Sequence, residues 1–251
     1  MPVTATFDSN VWRQVVSPDK YPQDLAATDC RKLHAFSVAG RLKGMLSETM
    51  FDLEAIPRKK RAAYFGSYEP KTVHTDIAVS GDTYHGRVTI GPDLESHPGN
   101  SDYHNQHLAD ALAIGFSLLS CPRIGMPKSP DTLRTMFLAQ TNEELKPVFD
   151  RLWTALDFVS SLGGGIEHAR ALGNRYRKPS DRVWYEAFPN VPDTERHLVP
   201  KVVAEWADGD SVATHIAHQI DYFCTRDQGV SAGSKSILAS ENRKALKDKF
   251  G

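Results

Sequence analysis

Two short runs at opposite ends of the chain finish alike. Val3–Phe7 (VTATF) is a β-branched run that stops at Asp8. Tyr222, Phe223 and Cys224 are rich in aromatic character, too few for a helix, and run directly into Thr225-Arg226-Asp227. A turn explains one polar residue at a strand end, but not the same ending twice. Between the two runs, strand-like and helix-like segments alternate. That alternation predicts a three-layer α/β/α sandwich around a mainly parallel sheet. Residues just past the carboxyl ends of parallel strands gather in one crevice. Asp8 and Asp227 are therefore expected to share one.

The other segments are read from spacing. A helix is expected over 25–36 and a second strand over 41–46. From Ser47 the spacing of Met50, Leu53, Glu54 and Ile56 suggests a helix broken by Pro57, followed by the basic block Arg58-Lys59-Lys60-Arg61. A strand is expected over 83–90 and a helix over 107–119. The clearest helix covers 142–162: Thr141 and Glu144 form a capping box, and Leu145, Val148, Phe149, Leu152, Leu156 and Val159 make an apolar stripe. Gly163-Gly164-Gly165 reads as its stop rather than as a phosphate loop, since no Lys-Ser/Thr follows. Near the C-terminus, Asp210 is expected to open a helix carrying Val212, Ala213, Ile216 and Ala217. Residues 240–250 form a last amphipathic helix.

Composition narrows the function classes. The 251-residue chain is 40% apolar and 24% charged with a formal net charge of −1, so any polyanion site has to come from local clustering of cations. Three cysteines without CxxC spacing argue against a disulfide framework and a thiolate zinc site. The longest apolar run, 109–121, carries an Asp and is too short to span a bilayer. The N-terminus goes straight into a strand with no signal peptide, so a soluble, cytoplasmic protein is expected.

The acids carry the chemistry. Asp8, Asp210 and Asp227, with Glu54 as a fourth carboxylate, would crowd one crevice. Two unit charges about 4 Å apart repel by on the order of 4 kcal/mol at an effective dielectric near 20, so a cation is needed to offset them. Hard oxygen ligands select Mg²⁺ or Mn²⁺, and Mg²⁺ sites typically bridge to phosphate oxygens.

The blocks FDSNVW (7–12), LSETMFDLEAI (46–56), GDSVATHIA (209–217) and DYFCTRD (221–227) resemble the PIN-domain ribonucleases. The resemblance implies a metal-dependent endoribonuclease that binds RNA. It implies Asp8, Glu54, Asp210 and Asp227 as the Mg²⁺- or Mn²⁺-holding catalytic acids, and Asn10 and Thr225 as their polar supports. It leaves Glu48 or Asp52 open in place of Glu54, and a protein inhibitor or a homodimer open as further partners. Small members of that family have the second and third acids far closer together, so residues of about 65–195 read as a large, partly helical insertion in a single domain. One more strand would be expected after the chain's last helix.

Rival readings accompany these. His104 and His107 with His85 and His97, or His215 with His218, offer a zinc site, but without an HExxH motif. Arg58, Lys59, Arg175, Arg177 and Lys178 read as an RNA-contacting rim with Tyr176 or Trp184 to stack a base, or else as solvated surface. A non-catalytic PIN-like module that binds RNA or protein is the alternative function.

Overall fold

The computed structural model describes residues 2–68, 70–92, 99–121, 131–229 and 236–251. Its elements are β1 (Val3–Phe7), α1 (Trp12–Val16), α2 (Ala27–Val38), β2 (Leu42–Ser47), α3 (Arg61–Gly66), β3 (Pro70–Ser80), β4 (Thr83–Pro92), α4 (Asp102–Ala113), β5 (Ser117–Leu119), α5 (Asn142–Ser161), α6 (Ile166–Tyr176), α7 (Leu198–Ala217), β6 (Tyr222–Cys224) and α8 (Ser240–Phe250).

Four strands form an all-parallel sheet in the order β5-β2-β1-β6. Period-two alternation assigns the faces of β1. Ala5 and Phe7 enter an apolar cluster with Trp12, Val15, Leu46 and Leu108, beneath α1, α2 and α4. Thr6 points the other way, its Oγ1 3.1 Å from His215 Nδ1 on α7. Helices thus lie on both faces of an α/β sheet, consistent with the three-layer arrangement expected. The register pairs Phe7 with Cys224, and the Asp8 N–H donates to the Cys224 carbonyl at 2.9 Å. The two strand ends therefore lie side by side.

The stretch of about 65–195, expected as an insertion, contributes to both parts of the molecule. β5 joins the main sheet beside β2, α5 and α6 pack on α7, and β3 with β4 makes a separate antiparallel pair.

Three local expectations change. The helix expected from Ser47 is a single 3-10 turn, Glu48–Met50, followed by turns. There the Asp52 carboxylate accepts the adjacent Leu53 N–H, an interaction that competes with helical bonding, and Pro57 closes the segment. The helix expected over 107–119 divides into α4 and β5, because Gly115 adopts φ +88° and turns the chain between them. The helix expected to begin at Asp210 begins at Leu198 and runs unbroken to Ala217. The capping box of α5 forms as expected, with Thr141 Oγ1 accepting the Glu144 N–H and Glu144 accepting the Thr141 N–H.

Candidate functional site

Asp8 is buried, and its carboxylate is held from three directions. Oδ2 accepts from Thr225 Oγ1 at 2.6 Å and Asn10 Nδ2 at 2.9 Å, and Oδ1 accepts from the Ser9 N–H at 2.6 Å. Asn10 Oδ1 takes the Arg226 N–H at 3.0 Å, and Thr225 Oγ1 takes the Asp227 N–H at 3.0 Å. Arg226 clamps Asp24 with two bonds of 2.6 and 2.8 Å, tying the turn after β6 to the loop before α2. Asn10 and Thr225, which the resemblance implied as polar supports, both donate to the Asp8 carboxylate. Asp221, read as a strand-edge residue, accepts Thr4 N–H and Oγ1, both at 2.8 Å.

The charges of four acids act on one another at this edge. Burial raises the pKa of Asp8, with the Asp227 charge adding to it against the hydrogen bonds that lower it. Burial and the Asp8 charge push Glu54 up to about 7, and Arg61 opposes the shift. Glu54 Oε1 also accepts from Ser9 Oγ at 3.3 Å. Asp208 is raised well above the ordinary carboxylate value by desolvation and then by the charges of Glu54, Asp8, Glu205 and Asp227. Burial is the largest cause of all three shifts, and the charges of the neighbouring acids add to it.

On α7 it is Asp208 that feels the charges of Glu54, Asp8 and Asp227, and Asp210, expected in that place, leaves the helix on another side. Residues two apart on a helix point about 200° apart. Asp210 is buried and accepts the Trp206 indole N–H at 3.0 Å, one turn back. Gly209 between them lets α7 approach the turn after α5: a Cβ there would come within 2.7 Å of Gly165 Cα. The triple glycine is accordingly both a helix stop and a contact surface beside Asp208. A signal for Asp208 was present, since Val199, Val203, Trp206, Ala207, Ala213 and Ala217 keep helical spacing straight through Gly209.

Of the three candidates for the second acid, Glu54 is the one on which the Asp8 charge acts. Glu48 is buried and accepts the Cys121 N–H at 2.8 Å, fastening β2 to the chain after β5. Asp52 is buried on the side of Tyr64 and Tyr68, whose hydroxyl pKa values its charge helps raise. Glu205, one turn before Asp208, accepts the Ile237 N–H at 2.7 Å and the Gly165 N–H at 3.4 Å.

A divalent ion suits the oxygen-only donors of the cluster. Among the described residues, no three His, Cys, Asp or Glu side chains are drawn together closely enough to hold an ion. The charges of Asp8, Asp208 and Asp227 act on one another and on Glu54. Mg²⁺ usually keeps several waters and binds through one or two carboxylates plus substrate phosphates, so it does not require three converging side chains.

The histidines have other partners. His107 Nδ1 lies 2.9 Å from the Tyr103 carbonyl and so donates, leaving Nε2 to accept from the Tyr21 hydroxyl at 3.2 Å. His104 Nδ1 lies 2.9 Å from Ser101 Oγ, and His218 Nε2 3.1 Å from the Ser120 carbonyl. The His85 side chain and His97 lie outside the described residues.

The basic rim divides. Arg58 and Lys59 are exposed and line a hollow of about 300 Å³ with Arg196 and His197. Their neighbour Arg61 is buried and donates to the carbonyls of Ile56, Pro200 and Glu54. In the later cluster, Arg175 pairs with Glu195, and Arg177 donates to the carbonyls of Asp181 and Arg182 at 3.1 and 2.7 Å. Lys178 is exposed and its N–H donates to Asp181 at 2.7 Å. Trp184, offered as a base-stacking platform, packs among Tyr185, Phe188 and Trp206, and Tyr176 lies under the Arg175 guanidinium.

No described helix is long and apolar enough to cross a membrane. No protein-family model matches this chain, and no curated protein or solved structure matches it.

Proposed function

We propose that this chain is a divalent-metal-dependent endoribonuclease of PIN-like architecture that hydrolyses RNA phosphodiester bonds. The observation that supports this most is the mutual action of the Asp8, Glu54, Asp208 and Asp227 charges at the carboxyl edge of a parallel sheet. Four carboxylates drawn from four chain segments are costly to keep together unless a cation joins them. These four would hold Mg²⁺ or Mn²⁺. When bound, the ion supplies Lewis acidity and a water of lowered pKa. The chain's own part is positional. Thr225, Asn10 and the Ser9 N–H fix the Asp8 carboxylate, and Ser9 Oγ orients Glu54. Arg61 lies close enough to feel the Glu54 and Asp208 charges and partly balances them. Three free cysteines fit a reducing, cytoplasmic setting.

That no three metal-ligating side chains converge among the described residues favours a second reading, a non-catalytic PIN-like module that binds RNA or protein. One assay separates the two: cleavage of a panel of single-stranded RNAs with Mn²⁺, by the wild type and by Asp8→Asn. The nuclease reading expects cleavage by the wild type and a loss of about a hundredfold or more in the variant, with far-UV circular dichroism unchanged. Equal activity of the two proteins contradicts it.

A further inference from the structure

A cleft of about 650 Å³ opens beside the acids, sharing Ser9, Asn10 and Glu54 with them. Its walls come from α1, from the segment 50–61 and from the start of α4. Among the described residues, the cations lining it are Arg13, Arg58, Lys60 and Arg61, and the carboxylate lining it is Glu54. In a chain of net charge −1, the described lining is a local excess of positive charge facing a hollow.

Two of these cations differ in kind. Arg61 is spent on three backbone carbonyls. Arg13 is not: its Nε is buried and meets no hydrogen-bond acceptor, and it has no ion-pair partner among the described residues. Its guanidinium sits 5.6 Å from the centre of the Tyr103 ring, which backs it on one side. Its charge reaches both ends of the cleft, acting on Glu54 and on His104. A buried donor without an acceptor is costly. A planar guanidinium fork matches the oxygens of a phosphate.

We propose that this cleft receives the backbone of single-stranded RNA next to the acid cluster, with Arg13 contacting a phosphate. The proposal rests on the RNA reading above, and it moves the main phosphate contact away from Arg175 and Arg177, which bond within the chain. The contact carries no base information, so it weakens or strengthens all sequences alike.

The test is fluorescence anisotropy with short labelled single-stranded RNAs in EDTA, across a series of KCl concentrations, with Mn²⁺-dependent cleavage measured in parallel. Arg13→Ala should weaken binding about tenfold and flatten the slope of log affinity against log salt by roughly 0.7, the contribution of one phosphate on a single strand. Arg13→Lys keeps the charge and loses the fork, so it should keep the slope and bind more weakly than wild type; it carries the decision if Arg13→Ala melts at a lower temperature. Arg175→Ala should leave both quantities unchanged. Wild-type binding and cleavage with an Arg13→Ala slope equal to wild type would overturn the cleft and leave the nuclease standing. Arg13-dependent binding without cleavage would uphold the cleft and overturn catalysis. A wild-type protein that binds no RNA at any salt concentration overturns both.

Discussion

Two sets of acids lie within a few residues of each other on the same elements, and their surroundings differ. Glu48, Glu205 and Asp210 are buried and each accepts from a neutral donor: the Cys121 N–H, the Ile237 N–H and the Trp206 indole. They join segments distant in sequence or brace one helix. Asp8, Glu54, Asp208 and Asp227 instead act on one another through charge. The first set fastens the fold, and the second set, although Asp8 and Glu54 also accept from neutral donors, carries charges that oppose one another. Removing a fastener should cost stability, whereas neutralising a member of the second set should cost function and spare stability.

The largest effect expected from that contrast is on activity. Asp208→Asn should lower Mn²⁺-dependent RNA cleavage by about a hundredfold or more. Its urea midpoint should hold or rise, because one repelling charge is gone. Asp210→Asn should keep cleavage within a fewfold of wild type. Steady-state cleavage rates and urea unfolding of both variants check this pair.

Next in size is the fastener itself. Glu205→Ala strands the buried Ile237 and Gly165 N–H groups and should lower unfolding free energy by about 1–3 kcal/mol. The urea midpoint should fall with the slope unchanged. A midpoint equal to wild type would erase the distinction between the two sets.

A third effect is a pH dependence. Glu54 rises from 4.5 in the unfolded chain to about 7 in the fold. Between those values the unfolded state ionises while the folded state holds the proton, so wild-type stability falls as pH rises through that window. His215 works in the opposite sense, its pKa lowered by burial to about 4, so it destabilises the fold as pH drops below 6.5. The difference between Glu54→Gln and wild type removes the histidine. In metal-free protein the variant should match wild type below about pH 4.5 and gain relative to it up to about pH 7, read as melting temperature against pH.

Much of this was legible where the signal is local. Val3–Phe7 and Tyr222–Cys224 are strands because of their own residues, and the turns after them bring Asp8, Asn10, Thr225 and Asp227 together once the strands pair. The capping box at Thr141 is likewise a property of four consecutive residues. Misreadings arose where tertiary packing decides. The helix expected to open at Asp210 instead runs from Leu198 through Gly209, whose missing Cβ admits Gly165, and Asp208 and Asp210 leave it on different sides. In the segment after Ser47, helical spacing of apolar residues was real, but Asp52 and Pro57 favoured turns. Arg13, a lone cation between Trp12 and Gln14, gave no local sign of facing a cleft.

The central claim is that Asp208 belongs with Asp8, Glu54 and Asp227, and Asp210 does not. Mn²⁺ affinity of the wild type, Asp208→Asn and Asp210→Asn, measured by the electron paramagnetic resonance signal of free Mn²⁺, tests it without any RNA. The account predicts Mn²⁺ binding by the wild type, a loss of roughly a hundredfold in Asp208→Asn, and wild-type affinity in Asp210→Asn. Binding that survives Asp208→Asn and disappears in Asp210→Asn would contradict it.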